Sequence, residues 1–470
     1  PVRGLSGKGA KKFQGATVNE PKRGFYKRPV ATLDWKSLYP SVMLAHNLCP
    51  STLVRDPALF DMEGVVAHPV RPDHTTHFTT KQPGILPLII RELLDSRSHA
   101  KKQIKLHTKL AKEAGTDDER ARQYAIAKVW DGRQLAIKIS VNSVYGIMGA
   151  CGVGENYCMD VSETVTYRGR DAMVIKKEIL PQRFPGIDII YGDTDSVMVV
   201  FPEVAEDGEA ADAEAEDLAK VQECGDLAEE AATFVTDEFA RRGWPDMVLE
   251  FEKVFLPYLL FKKKRYIGLK YEPDGDNVMH LKGIDSKGVE TERKDTLPFL
   301  KAAYMEARDA LVYKVDAQLA LRTVQDNLAR LVRGEVPFEQ FIMSKSLKAH
   351  YKDPDSQVQV RVNQLRAQRE PGSEEAVNGR VDYVIVNGHK KGKATDLAED
   401  PRYAREHGLP LNYLWYFEHR FRDPMYGLFA VVDEVSLDET FAHCSAQLDR
   451  ARLGLSDVLQ KALQAPSGGA

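Results

Sequence analysis

Cysteine is scarce in this chain, and no two cysteines stand at the spacing of a metal or redox motif. The five present are odd in number and form no C-x-x-C pair: Cys49, Cys151, Cys158, Cys224 and Cys444. This distribution argues against a disulfide framework and against a structural zinc site. We therefore expect a protein of a reducing compartment.

Long apolar runs are also missing. No run approaches the roughly 20 residues that a helix needs to cross a bilayer, so we expect a soluble protein without a membrane partner. The chain opens at Pro1 without an initiator Met or a charged-then-apolar leader, which indicates an excerpt of a longer protein rather than a secreted one. A length of 470 residues predicts two to four subdomains, because single cores stop growing below that size.

The net charge of −4 conceals very unequal segments. Residues 203–230 hold twelve Asp/Glu and one Lys, a net charge of −11, so the rest of the chain carries +7. Positive charge is concentrated in residues 1–28, with eight Lys/Arg against one Glu, and in residues 262–270, with five Lys/Arg. Such basic segments are candidate contacts for nucleic-acid phosphates, although an isolated basic run is more often a solvated surface.

Two carboxylate-bearing segments follow apolar, β-branched stretches. Residues 31–39 (ATLDWKSLY) predict a strand that turns into a helix or loop, with Asp34 at the strand end and Pro40 as a stop. Residues 187–200 predict a β-hairpin whose turn, Gly192 to Asp195, holds two aspartates. Between them, Pro- and Gly-rich residues 57–84 predict loops.

Helical spacing dominates much of the remainder. Residues 86–114 and a second helix from the capping pattern at Thr116 to about Tyr145 predict an antiparallel hairpin, because the link between them is short. Further helices are predicted at 161–184 and around Leu227–Phe239, with strands at 248–255 and 265–271. The acidic segment 203–217 predicts a solvated loop. After about Thr296 the pattern is mainly helical, interrupted by a β-like stretch at 381–386.

The aspartates have the spacing that divalent-metal chemistry requires. Asp193 and Asp195 point to the same side of an extended segment, and Asp34 joins them if its strand lies beside that hairpin. Converging carboxylates suit Mg²⁺, which takes oxygen ligands and keeps water and phosphate oxygens as the others. Taken alone, a DTD sequence is an ordinary turn.

Cationic side chains lie on one face of each helix of the predicted hairpin. Arg97 and Lys101 are spaced i, i+4, and Lys138, Asn142 and Tyr145 are spaced i, i+4, i+7. If the faces oppose each other, they form a cationic cradle for a triphosphate, with Asn142 as a neutral hydrogen-bonding group.

Three motifs resemble those of family B DNA polymerases, and they occur in the family's order. Residues 34–41 (DWKSLYPS) resemble D-x-x-S-L-Y-P-S, residues 138–146 (KISVNSVYG) resemble K-x-x-x-N-S-x-Y-G, and residues 191–196 are Y-G-D-T-D-S. Residues 263–266 (KKRY), 13–16 (FQGA, for Y-x-G-[GA]) and the thumb-like 344–347 (SKSL) add to the similarity. The sequences of these motifs are most similar to those of polymerase delta and of delta-like enzymes of large DNA viruses.

The resemblance implies an enzyme that adds dNTPs to the 3′-hydroxyl of a primer. Asp34 and Asp195 would bind two Mg²⁺ ions, for which Mn²⁺ can substitute, with Asp193 in support. The incoming dNTP would be gripped by Arg97, Lys101, Lys138 and Asn142, with backbone help near Ser37 and Leu38. Tyr39 would lie under the sugar and reject a 2′-hydroxyl, and Tyr145 and Gly146 would border the new base pair. Primer–template contacts would come from Lys263, Lys264, Arg265, Tyr266, Gly15 and Ala16.

The implied fold is an α+β right-hand polymerase fold with an antiparallel-sheet palm, helical-hairpin fingers and a mainly helical thumb. The expected boundaries are 1–84 for the first part of the palm, 85–150 for the fingers, 151–290 for the rest of the palm and 291–470 for the thumb. Expected partners are primer–template DNA, dNTPs, a processivity clamp and other replication proteins, in the nucleus or, for a viral enzyme, at a host nuclear or cytoplasmic replication site.

Two departures from the family pattern affect these expectations. Trp35 stands where the family usually has Phe, which bears on packing beside Asp34 rather than on catalysis. The sequence as given leaves no room before Pro1 for the family's exonuclease domain and shows no paired cysteine clusters after Ala430, so proofreading and zinc or iron–sulfur binding are not predicted for this chain.

Three alternative functions remain open. The chain could be an inert polymerase-like module that binds DNA or scaffolds a replisome, a fragment that is idle without its missing N-terminal half, or an RNA-making nucleotidyltransferase. Converging, mutually repelling carboxylates argue against the inert module, and Tyr39 argues for deoxynucleotides.

Overall fold

A computed structural model describes residue 15 and residues 20–150, 157–202, 204, 213–292, 295–388 and 393–464. The chain divides into two compact units. The first comprises Pro1–Glu20, Pro29–Val254 and Glu272–His280, and the second comprises Pro21–Arg28, Phe255–Tyr271 and Leu281–Ala470. Within the described residues, none of the helices combines the length and the apolar character required to cross a bilayer.

Strands and helices alternate along the chain. The strands are β1 Gly24–Tyr26, β2 Val30–Trp35, β3 Leu53–Val54, β4 Val65–Arg71, β5 His74–Thr79, β6 Asp188–Asp193, β7 Ser196–Val200, β8 Leu249–Lys262, β9 Arg265–Pro273, β10 Met279–Lys287, β11 Met343–Ser346, β12 Arg380–Ile385 and β13 Ala398–Glu399. The helices are α1 Leu38–Ala45, α2 Ile85–Glu113, α3 Asp117–Gly149, α4 Met159–Arg183, α5 Ala213–Arg241, α6 Pro298–Tyr313, α7 Ala317–Val332, α8 Val358–Arg369, α9 Ala394–Leu397, α10 Pro401–Glu406, α11 Tyr413–Tyr416, α12 Arg422–Phe429 and α13 Asp438–Gln464. Single turns of 3₁₀-helix occur at Pro57–Leu59, Glu290–Glu292, Phe338–Phe341 and Pro354–Ser356, and a π-helical turn occurs at Phe417–Phe421.

The first unit is built on a sheet in which β6, β7, β2 and the first half of β8 are neighbours in that order. β2 pairs antiparallel with β7, with Asp34 opposite Ser196, and β6 pairs antiparallel with β7. Alternate β-branched and apolar residues of these strands are fully buried, as Leu33, Val197 and Val199 are. On the same unit, the ring of Trp35 packs 4.9 Å from that of Phe239 on α5.

The long helices α2 and α3 pack along each other as the predicted antiparallel hairpin. Thr116 begins α3 by accepting a hydrogen bond from the Glu119 amide at 3.3 Å, which confirms the predicted cap. α3 ends at Gly149, four residues beyond the predicted end, so Gly146, which directly follows Tyr145, lies within the helix and does not end it.

Two predictions about local structure were wrong. Pro40 does not stop a helix but lies in the first turn of α1, where a proline costs nothing because that N–H has no intrahelical partner. Residues 57–84 are not all loop, since β4 and β5 pair with each other and β5 pairs with β3. Pro69 is accommodated in β4 next to a register shift between His68 and Arg71.

The acidic segment 203–217 differs from its prediction at its C-terminal end. α5 begins at Ala213, so the last residues of the segment are helical rather than a loop. Alanine and glutamate there are strong helix formers, and this preference outweighs the solvating charge. Residues 203 and 205–212 lie outside the described residues.

The second unit combines strands with a mainly helical remainder. The second half of β8, β9 and the larger part of β10 are neighbours in that order, and β1 pairs antiparallel with β8. β11, β12 and β13 form a small sheet, of which only the β-like stretch at 381–386 was predicted. The chain is thus an α+β protein with antiparallel sheets, as expected; the division into palm, fingers and thumb stays a prediction.

Candidate active site

Nine of the predicted site residues line one cavity of the first unit. Its volume is about 490 Å³. It is lined by Asp34, Trp35, Lys36, Ser37, Leu38, Tyr39, Pro40, Arg97, Lys101, Lys138, Asn142, Thr194, Asp195, Glu250, Phe251 and Glu252. Acidic residues of the sheet and basic residues of α2 and α3 therefore share a single space.

Pairing of β2 with β7 brings Asp34 and Asp195 together. Asp34 lies opposite Ser196, and the Trp35 amide donates a hydrogen bond to the Asp195 carbonyl at 3.1 Å. Directly paired residues of an antiparallel sheet have Cα atoms about 5 Å apart, so Asp195, one residue from that pair, is also close to Asp34. Both side chains are half-buried and border the same cavity.

The hairpin turn that presents Asp195 has an unusual backbone. Thr194 has a φ of 55°, in the left-handed region that β-branched residues rarely adopt. Ser37, just before α1, has a φ of 53° and also lines the cavity. Such conformations cost on the order of 1–3 kcal/mol each and are concentrated at functional sites.

Asp193 is outside the cavity lining and supports the turn. Its carbonyl accepts hydrogen bonds from the Asp195 amide at 2.6 Å and from the Ser196 hydroxyl at 3.3 Å. Its Oδ1 accepts one from the Thr194 hydroxyl at 3.4 Å. The two aspartates of the turn thus occupy different positions, with Asp195 facing the cavity.

The cationic residues of the two helices face the same cavity. Arg97 and Lys101 come from α2, and Lys138 and Asn142 come from α3. The helices are linked there by a hydrogen bond from Arg97 Nε to Gln134 Oε1 at 3.4 Å. Partial desolvation lowers the pKa of Lys101, and the positive charge of Arg97 lowers it further, while Glu250 opposes the shift. An anion entering the cavity would therefore meet the positive charges of Arg97, Lys101 and Lys138, beside the carboxylates that line the same space.

Tyr39 borders the cavity and stacks on Tyr145. The ring centroids are 4.4 Å apart at an angle of 34°. Burial raises the pKa of Tyr39, and the nearby charge of Asp195 raises it further; burial also raises the pKa of Tyr145 to about 12. Tyr145 and Gly146 do not line the cavity themselves. Leu38 and Ser37 do.

Sequence reasoning missed three residues of β8 and one neighbouring lysine. Glu250, Phe251 and Glu252 line the cavity, and Glu250 forms an ion pair with Lys36 at 3.1 Å. In the sequence, Leu249 and Phe251 alternate with two glutamates, a pattern that predicts a half-exposed strand. This pattern does not indicate that the strand borders a cavity.

The remaining predicted residues lie elsewhere or were not described. Lys263 and Lys264 are exposed in the turn between β8 and β9 of the second unit, and Arg265 begins β9. Tyr266 is buried in that unit, its ring 5.4 Å from that of Tyr258. In the first unit the carbonyl of Gly15 accepts a hydrogen bond from Arg170 at 2.9 Å. Ala16 lies outside the described residues.

The carboxylates that line the cavity are suitable ligands for Mg²⁺. The described residues contain no group of three or more His, Cys, Asp and Glu side chains placed to hold a metal ion. Asp34 and Asp195 remain as a pair of accessible carboxylates on one cavity wall. Such a pair fits Mg²⁺ because this ion is usually bound by one or two carboxylates and completes its shell with water and substrate phosphates.

Comparison with known proteins agrees with the motifs. The family model for DNA polymerase family B matches residues 3–432. The DNA polymerase delta catalytic subunit of Oryza sativa subsp. japonica is 34% identical over 427 residues, which cover 89% of this chain and 35% of the relative. Those of Dictyostelium discoideum and Caenorhabditis elegans are each 36% identical, over 440 and 430 residues, covering 91% and 89% of this chain and 36% of each relative. The chain spans about a third of the length of these relatives.

Proposed function

The chain belongs to DNA polymerase family B, and from this premise we propose that it adds dNMP units to the 3′-hydroxyl of a DNA primer under the direction of a template. One observation carries the proposal: Asp34 and Asp195 share a cavity with Arg97, Lys101 and Lys138. A polymerase needs that combination, because its substrate is both a metal ligand and a triphosphate.

We propose that Asp34 and Asp195 hold two Mg²⁺ ions, which supply charge stabilisation at the attacking oxygen and the leaving pyrophosphate. Asp193 keeps the turn in shape through its hydrogen bonds to Asp195, Ser196 and Thr194. The chain's own contribution is then to fix the two carboxylates before substrate arrives.

The three basic side chains bind the phosphates of the incoming dNTP. Arg97 can donate two hydrogen bonds at once, whereas Lys101 and Lys138 act as point charges. Asn142 adds a neutral hydrogen bond, and the backbone at Ser37 and Leu38 borders the same space. Because Lys101 is partly desolvated, its attraction for an anion is screened less than that of a surface lysine.

We propose that Tyr39 packs under the sugar, where a 2′-hydroxyl would collide with its ring. Tyr145 stacks on it at 4.4 Å and, with Gly146, borders the new base pair. In the second unit Lys263, Lys264 and Arg265 contact primer–template phosphates, and Tyr266 supports them from the core. We also propose that Gly15 and Ala16 contact the primer–template DNA. Contacts of this kind position the duplex without reading its sequence.

The proposed architecture is a right hand with palm, fingers and thumb, divided near residues 85, 150 and 290. The pairing of α2 with α3 over Ile85–Gly149 supports the fingers, and the sheet carrying Asp34 and Asp195 supports the palm. By similarity to delta catalytic subunits we place the chain in DNA replication, with a processivity clamp and other replication proteins as partners and the nucleus as its location.

Primer extension by this 470-residue chain tests the proposal. An annealed primer–template is incubated with Mg²⁺ and either four dNTPs or four rNTPs. We expect template-dependent extension with dNTPs and little with rNTPs. No extension with either set, despite duplex binding, would favour an inert module or an idle fragment, and efficient use of rNTPs would favour an RNA-making enzyme.

A further inference from the structure

The ring of Tyr39 rests directly on the backbone of α4. Gly169 is buried in α4, and a Cβ built there would lie 3.2 Å from Cε1 and 3.7 Å from Cδ1 of Tyr39. The same Cβ would lie 3.7 Å from Cδ2 of Leu38. A methyl group at this position would therefore push the edge of the ring by a few tenths of an ångström.

The ring is supported from two helices. Tyr145 of α3 stacks on it with a centroid distance of 4.4 Å, while Gly169 of α4 contacts its edge. A ring that excludes a 2′-hydroxyl must not retreat when the larger sugar arrives. Contact with the helix backbone at Gly169 prevents that retreat in one direction, and the stack on Tyr145 does so in another.

Arg170, the next residue of α4, lies near both tyrosines. Its Nη1 donates a hydrogen bond to the Gly15 carbonyl at 2.9 Å, which anchors the side chain. Its charge opposes the rise of the Tyr39 pKa, whose largest cause is burial. Burial in turn lowers the pKa of Arg170, and both Tyr39 and Tyr145 oppose that shift.

We propose that Gly169 and Arg170 are positioning residues that fix the Tyr39 ring and thereby set the preference for 2′-deoxy- over ribonucleoside triphosphates. The inference rests on the proposed function, since it assigns Tyr39 to the sugar. It differs from a contact with substrate, because both residues act through the ring.

Equilibrium binding measures this preference without turnover. Dissociation constants for dATP and ATP are measured in Mg²⁺ with a template and a primer that ends in a dideoxynucleotide. The Gly169→Ala variant is compared with wild type and with Gly132→Ala, a helical glycine of α3 whose added Cβ would meet no atom within 4 Å. We expect the ATP/dATP ratio of constants to change about fivefold or more in Gly169→Ala, as overpacking predicts, and to stay unchanged in Gly132→Ala.

A double-mutant cycle shows whether the effect passes through the ring. In a Tyr39→Val background, Gly169→Ala should leave the ratio unchanged, because the group that it displaces is gone. If Gly169→Ala does not fold, Arg170→Gln gives a second test without added volume. We expect it to raise the pKa of the Tyr39 phenol and to change the ratio about threefold or more.

The outcomes separate this inference from the proposed function. A wild-type preference for dATP that neither Gly169→Ala nor Arg170→Gln alters would overturn the inference alone. A change of equal size in the Tyr39→Val background would also overturn it. A wild-type chain that binds neither nucleotide would overturn the proposed function, and the inference with it.

Discussion

Replacement of Asp195 by Asn is the sharpest test of the carboxylate pair. Asparagine has nearly the same shape but carries no charge and is a poor Mg²⁺ ligand. The fold should tolerate it, because Asp195 holds the hairpin through its backbone, in hydrogen bonds with Asp193 at 2.6 Å and Trp35 at 3.1 Å. Losing several kcal/mol of transition-state stabilisation predicts a fall in kcat of about 10³-fold or more.

The assay is single-nucleotide incorporation into an annealed primer–template, followed in parallel by duplex binding. We expect Asp195→Asn to lose incorporation while its duplex Kd stays within about threefold of wild type. Asp276→Asn, an exposed change of the same chemistry, is the control and should leave both values unchanged. Incorporation by Asp195→Asn at the wild-type rate would refute the assignment.

The same variant has a consequence that does not depend on metal or DNA. After burial, the charge of Asp195 is the next cause of the raised pKa of Tyr39, because a phenolate there would be repelled by the carboxylate. Asp195→Asn should therefore lower the pKa of Tyr39. Ultraviolet titration against a Tyr39→Phe background measures this shift. An unchanged phenol pKa would mean that the two side chains are not neighbours.

Three further perturbations have defined outcomes. Lys138→Ala, an exposed change on α3, should leave the melting temperature unchanged and lower kcat/KM for dNTPs about tenfold to a hundredfold; a change in duplex affinity alone would contradict the phosphate assignment. Burial lowers the pKa of His46 and His68 to about 3, so the folded protein stays unprotonated there while the unfolded chain takes up protons below about pH 6.5. The free energy of unfolding, measured with urea, should therefore fall as the pH drops from about 6.5 towards 3, and it should fall less steeply in His68→Gln. The same dependence on pH in both proteins would count against this. Gly84→Ala would bring a Cβ to 2.6 Å from that of Cys49, so we expect a loss of about 1–3 kcal/mol in the free energy of unfolding, and unchanged stability would show that this loop can yield.

Elements with strong local signals could be predicted from the sequence. The helix pair α2 and α3 has sustained helical spacing, a short link and a capping threonine, all of which act within a few residues. The hairpin of β6 and β7 has β-branched strands around turn formers. In both elements the local sequence preferences for helix, strand and turn agree with the final fold, so the sequence alone predicts the structure there.

Elements whose conformation depends on distant partners could not be predicted. Pro40 is compatible with a helix stop and with a first helical turn, and only the packing of α1 distinguishes them. β4 contains Pro69 and a register shift, which hide the alternation of a strand. The cavity residues Glu250 and Glu252 are ordinary exposed strand residues until β8 pairs beside β2.

The site itself is where local preference and final structure disagree most. Threonine rarely adopts a positive φ, yet Thr194, which precedes Asp195, has a φ of 55°. Ser37, which follows Asp34 in the same motif, has a φ of 53°. Glycine or asparagine would relieve the strain at either position. Since both residues line the cavity with the two aspartates, the strained turns fix where the carboxylates point, and a relaxed turn would leave them free to separate. Two like charges held side by side repel each other, so this wall is built at a cost in stability, which a bound divalent cation would offset.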